Sequence, residues 1–266
     1  EVRVAPSIDQ LAREVAVDLA VIAVPTAYHA DMAVELAGRG VNLLAEKPLA
    51  GSLDDADRII AAADSAGVLL AVGHIERFNA AVAELASLLD DPVHLRATRI
   101  SPYSARVGDG VIHDLMIHDL YIALSLAGPD ADVVAVSGTA RATRSPNEDH
   151  ASVAIAFSTG LTASFETSRL AQQKIRTLEI TQRDSVVIAD LVRQDVTIHR
   201  MSQHEYLSGE GVRYRQSSIV EIPFLETRGE PLALELADVA RCVENGLPPR
   251  VSGDDGRRAL ELADRV

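Results

Sequence analysis

Three short apolar runs, each broken at its far end by polar residues, decide most of what this chain can become. They are "VDLAVIAVP" at 17–25, "VNLLAEKP" at 41–48 and "VLLAVGH" at 68–74. Runs this continuous in Val, Leu, Ile and Ala read as strands buried on both faces, the pattern of a parallel sheet. The stretches between them have helical spacing. "AYHADMAVELAGRG" ends at Gly38 or Gly40, and "LDDADRIIAAADSAG" is opened by a capping box at Ser52 and Asp55 and closed by Gly67. Strand, helix, strand, helix, strand predicts right-handed crossovers, with ligands beyond the carboxyl ends of the strands. Pro25-Thr26, Glu46-Lys47 and Gly73-His74 occupy those ends.

After Asn79 the pattern changes. "NAAVAELASLLDD" predicts a helix and "VHLRATRIS" a strand, followed by a polar loop and an apolar helix that stops at Gly128. From Val133 to Pro223 the chain alternates in short β-type runs, with a hairpin turn at Ser158-Thr159-Gly160. Pro231 and Ser252 open two last helices. The expected architecture is α/β. An incomplete Rossmann-type parallel domain at 1–74 is followed by an α+β domain at 75–230 with a mostly antiparallel open sheet, and by C-terminal helices at 231–266. One face of that sheet needs a cover, which predicts a homodimer or homotetramer.

Composition narrows the function classes. A net charge of −14, with both signs interspersed, argues against nucleic acid as a partner, because phosphate binding needs a concentrated basic field. Charge interrupts every apolar run before the roughly 18 residues of a membrane span, so no membrane association is expected. One cysteine, Cys242, makes no internal disulfide and suits a reducing, cytoplasmic setting.

The helix after the polar loop carries "HDLMIHDLY", residues 113–121, inside an apolar run. On a regular helix Asp114 and His118 lie about 40° apart and can touch one ligand, and Tyr121 continues that face. His113 lies about 140° from His118, so the histidines do not form a metal pair and no metal is expected. His113 and Asp119 point elsewhere and read as structural. A helix apolar on most sides keeps polar residues where something answers them, and a cleft is such an answer. Lys47, held at a strand end before Pro48, can stabilise a developing alkoxide.

"AEKP" after a buried strand, "VPTAYH" one crossover earlier, "DLMIHD" in a later helix and the closing "EPLALELADVARCVENGLPPRVSGDDGRRALELA" resemble the glucose-fructose oxidoreductase, inositol dehydrogenase and rhizopine catabolism (Gfo/Idh/MocA) family. The resemblance runs essentially end to end. It implies an oxidoreductase transferring hydride between a secondary hydroxyl of a sugar, nucleotide sugar or polyol and NAD or NADP. It also implies that Lys47 sits beside the nicotinamide, that Asp114 and His118 face the substrate with His118 as proton acceptor, and that Pro25, Thr26, His29 and Glu46 lie along the dinucleotide; His74, at the third strand end, is a further candidate cofactor contact. Arg99 and Arg106 are candidate anchors for an acidic or phosphorylated substrate. "GHIERFN", "RISPYSARV" and "VIHDLMIHDL" are most similar to members that oxidise the 3-hydroxyl of UDP-N-acetylglucosamine. A glycoside hydrolase working by transient oxidation and a sugar- or dinucleotide-sensing module without catalysis are the alternatives.

The chain departs from the family twice. Tyr121 stands where an acidic residue is usual three after the histidine, which leaves it a candidate substrate contact of altered chemistry. No G-x-G-x-x-G, the turn that holds pyrophosphate, occurs in these residues, and the chain starts with Glu1. The expectation is an N-terminally truncated chain that binds dinucleotide poorly by itself and is inactive alone.

Overall fold

In the computed structural model the described residues are 4–266 apart from 105–107, 209–210 and 227, with the backbone alone for 202–208 and 211–216. They form two compact units, Glu1–Ile75 with Leu232–Asp264, and Glu76–Pro231 with Arg265–Val266.

The first unit opens with α1 (Ile8–Glu14), β1 (Leu19–Ile22), α2 (His29–Ala37), β2 (Asn42–Glu46), α3 (Leu53–Ala66) and β3 (Leu70–Gly73). The strands pair in parallel in the order β1-β2-β3, as the crossover spacing predicts. Ser52 accepts the Asp55 N–H at 3.2 Å and Gly67 closes α3 at φ 67°, both as the sequence predicts. One expectation fails locally. Val21 in β1, the edge strand of this sheet, is 48% exposed, so β1 is not buried on both faces.

In the second unit the helix expected after Asn79 is two short pieces, α4 (Ala80–Ala83) and α5 (Leu85–Leu88). Eight strands follow: β4 (His94–Ile100), β5 (Val133–Arg141), β6 (His150–Phe157), β7 (Thr162–Ser168), β8 (Ile175–Gln182), β9 (Ser185–Asp190), β10 (Asp195–Ser208) and β11 (Gly211–Glu221). They form one sheet in the order β11-β10-β9-β8-β4-β7-β6-β5. Only β4 and β7 run parallel; every other neighbouring pair is antiparallel. Alternate residues such as Ala151, Val153, Ile155 and Phe157 are buried, the period-2 signature of a sheet with one covered face.

Between β4 and β5 the long helix is not uniform. Residues Ile112–Met116 form a π turn, and α6 (Ile117–Ala127) continues from it to Gly128, at φ 101°. Last come α7 (Pro231–Asn245) and α8 (Gly253–Arg265). The sequence set these helices apart as 231–266, but they pack into the first unit. Val239 of α7 joins Leu44 and Ala71 in a buried cluster, and the Val72 N–H donates to Val251 O at 3.1 Å just before α8. No helix of the described residues is long and apolar enough to cross a membrane.

Candidate active site

The carboxyl ends of the three parallel strands gather the polar residues of the first unit. β2 ends at Glu46, with Lys47 next, and the Lys47–Pro48 peptide bond is cis. Lys47 is half-buried and the residues on either side of it in the core, Ala45 and Leu49, are fully buried. Glu46 pairs across to Gly73 of β3. A Cβ on Gly73 would stand 2.9 Å from Glu46 Oε2 and 3.2 Å from its Cα, so only glycine leaves room for that carboxylate to lie across the strand end. Pro25 and Thr26 open a short 3₁₀ turn between β1 and α2, where a dinucleotide passes in folds of this type.

Two of the expected dinucleotide contacts turn out to be interior. His29 is 1% exposed, and its ring nitrogens face Leu49 O at 3.2 Å and Val24 O at 3.0 Å. It ties the end of β1 to the loop after β2 and has no free edge for a cofactor. His74 is fully buried; burial first, and the Lys47 charge second, push it down to about 3, so it is a neutral packing element at neutral pH. Glu235 of α7, which the sequence reading did not single out, is 1% exposed and pushed up to about 8 by burial and by the charge of Glu46. It is a protonated acid at neutral pH. No motif marks it, because its burial depends on α7 packing against a strand end far away in the chain.

The second unit positions Asp114 and His118. The start of the π turn is held by Glu148, whose backbone O accepts from Val111 N–H at 3.0 Å and whose side chain accepts from Ile112 N–H at 3.2 Å. A carboxylate there also complements the helix dipole. Gly110 makes this approach possible, since a Cβ on it would overlap the Glu148 carboxylate. Asp114 sits within the π turn and His118 one turn later, 9% exposed. A π turn holds more residues per turn than an α-helix, so the 40° and 140° separations of a regular helix do not apply. Counted with the wider turn, Asp114 and His118 are still expected on one side, with His113 nearer to it. Even so, the described residues contain no group of three or more His, Cys, Asp or Glu able to hold a metal.

The remaining expected substrate contacts fare differently. Arg99 is 1% exposed and engaged from all sides. Its Nε and Nη2 donate to Asp119 at 2.8 and 2.7 Å, and its Nη1 donates to Glu76 at 2.9 Å. Burial works against its charge, but the Asp119 and Glu76 carboxylates outweigh that and hold it above the usual arginine range. Arg99 is a structural cation and not a substrate anchor. Tyr121 is 4% exposed and lines a cavity of about 70 Å³ with Val82, Leu85, Ile122 and Arg77, a cavity that includes neither Asp114 nor His118. Arg106 lies outside the described residues.

Comparison with known proteins identifies the family. Residues 1–74 match the oxidoreductase family with an NAD-binding Rossmann fold, and residues 77–185 match the GFO/IDH/MocA C-terminal domain. The chain is 30% identical to UDP-N-acetylglucosamine 3-dehydrogenase of Acidithiobacillus ferrooxidans over 99% of its own length and 82% of the relative. It is 32% identical to scyllo-inositol 2-dehydrogenase (NAD(+)) of Bacillus subtilis, over 92% of the chain and 73% of that protein. The solved structure of the Acidithiobacillus enzyme superposes with a TM-score of 0.85, covering 99% of this chain and 82% of that one. A probable dehydrogenase from Thermotoga maritima, 26% identical, superposes at 0.76 over 97% of this chain and 79% of its own. The chain belongs to the GFO/IDH/MocA family of NAD(P)-dependent oxidoreductases.

Proposed function

We propose that the protein oxidises a secondary hydroxyl of a sugar, nucleotide sugar or polyol. The observation that carries this reading is a half-buried lysine at the end of a parallel strand, in a chain whose relatives are dehydrogenases of UDP-N-acetylglucosamine and inositols. Glu46 lying across a strand end that only glycine allows fits a nicotinamide half-site. Pro25, Thr26, Glu46 and Lys47 are the residues that would hold the dinucleotide there.

Removing hydride from carbon requires the hydroxyl proton to leave, so a base near neutrality and a cation near the oxygen are both wanted. His118 accepts that proton, Lys47 stabilises the alkoxide and Asp114 orients the substrate. The bound nicotinamide supplies the hydride-accepting carbon. Arg106 stays a candidate contact for an anionic group on the substrate. The lone cysteine supports a cytoplasmic setting. Exposed Met201, Ile219, Val220, Ile222 and Phe224, at and just after the β10–β11 edge, support a homodimer or homotetramer built on the large sheet; a monomer by light scattering would count against it.

The test is a screen of sugars, nucleotide sugars and polyols for reduction of NAD or NADP by the protein expressed from its complete reading frame. Turnover with at least one of them is expected, lowered about 10²- to 10⁴-fold in His118→Ala, with dinucleotide affinity nearly unchanged. Lys47→Met should be equally damaging. No reduction with any member of these classes, or loss of affinity and turnover together in His118→Ala, would overturn the reading.

A further inference from the structure

Arg169 follows the last residue of β7 and is 3% exposed. Both terminal nitrogens of its guanidinium are shut off from solvent, and neither has a hydrogen-bond acceptor among the described residues. Its Nη2 stands 3.5 Å from Asp114 Oδ2, long for a hydrogen bond but close enough for strong charge attraction. Asp149 is the next acid along this stretch, and it is already committed. Its carboxylate accepts the backbone N–H groups of Thr143, Arg144 and Ser145 and the Ser145 hydroxyl. To Arg169 it offers only its backbone O, which accepts the Arg169 N–H at 2.9 Å. The strand end is thereby fixed, and the side chain reaches the π turn that carries Asp114.

A buried guanidinium without acceptors is costly, and an apolar side chain of similar volume would be easier to place. The two terminal nitrogens are closed to solvent, so Asp114 and not Arg169 is the group that faces outward. What the cation offers is its field on Asp114, whose own side chain is 26% exposed and so faces outward.

We propose that Arg169 is a positioning residue for Asp114: it fixes the carboxylate on the π turn so that Asp114 meets a substrate hydroxyl as a preset acceptor. The inference rests on the reading of Asp114 given above, and adds a residue that never touches substrate.

The experiment is a double-mutant cycle in the protein from its complete reading frame, with UDP-N-acetylglucosamine and myo-inositol as probes. Arg169→Met should lower kcat/KM for the hydroxylated probe about 10- to 100-fold while the KM for the nicotinamide cofactor stays put. Arg169→Lys, which keeps the charge, should recover part of the loss. On an Asp114→Asn background, Arg169→Met should add no more than about twofold. Wild-type turnover in Arg169→Met, or losses that multiply in the double variant, would overturn the proposal. Asp114→Asn with full turnover would instead remove the reading of Asp114 itself. One readout needs no turnover and no Arg169 variant. The side-chain nitrogen resonances of Arg169, slowed in rotation by the ion pair, should change in Asp114→Asn, and unchanged signals would overturn the proposal.

Discussion

Arg99 shows how a single charge can organise an interior. It bonds Asp119 with two nitrogens and Glu76 with a third, while Arg176 donates to the same Glu76 oxygen at 3.0 Å. Arg99→Met should cost about 3–5 kcal/mol in unfolding, because it strips the buried Asp119 of its cation and leaves Glu76 with Arg176 alone; denaturant melts would measure it. The sequence misplaced this arginine because alternation along "VHLRATRIS" shows that side chains take opposite faces, not which face is closed over later by α6 with Asp119. Lys47, Asp114 and His118 stood out in the sequence as candidates because each interrupts an apolar stretch. Arg169 and Glu235 did not, since their significance comes from partners brought in from distant segments. Glu235 also sets a pH dependence. Its folded value of about 8 exceeds the ordinary 4.5, so the folded state keeps a proton that the unfolded chain releases. That stabilisation is complete below about pH 4.5 and fades as pH rises through about 8. Thermal midpoints should therefore fall from about pH 7 to about pH 9 in the wild type, and fall less in Glu235→Gln; equal slopes would contradict the assignment.

The crossovers of the first unit were readable because each carries its own punctuation, such as Ser52 before α3 and Gly67 after it. The close approach of α8 to β3 was not. A Cβ on Gly256 would meet Val72 Cγ2 at 2.8 Å and Cγ1 at 2.9 Å, so the helix packs against the strand at a distance that a larger residue forbids. Gly256→Ala should cost about 1–3 kcal/mol, read as a lowered thermal midpoint. The π turn was equally hidden, because an apolar pattern of helical period fits a regular α-helix as well. Glu148 holds its start from outside the helix, and Gly110 leaves room for that carboxylate. Gly110→Ala should therefore cost stability and raise amide exchange at Val111 and Ile112, whose N–H groups Glu148 holds.

The acidic balance of the chain and its two-part pattern were plain in the sequence, but the destination of α7 and α8 was not. An amphipathic helix announces that it has a partner and says nothing about which one. Ending the chain after Glu230 should expose Leu44 and Ala71, which Val239 covers, and release the parallel sheet to rapid amide exchange while β4 and β6–β9 stay protected. Protection retained in β2 and β3 would show the helices to be dispensable. Because the chain leaves the first unit at Ile75 and rejoins it at Leu232, synthesis on the ribosome finishes the guest before the host. The eight-stranded body can be complete while the three parallel strands still wait, apolar side uncovered, for their last two helices to emerge, and that interval is when a chaperone would find most to hold.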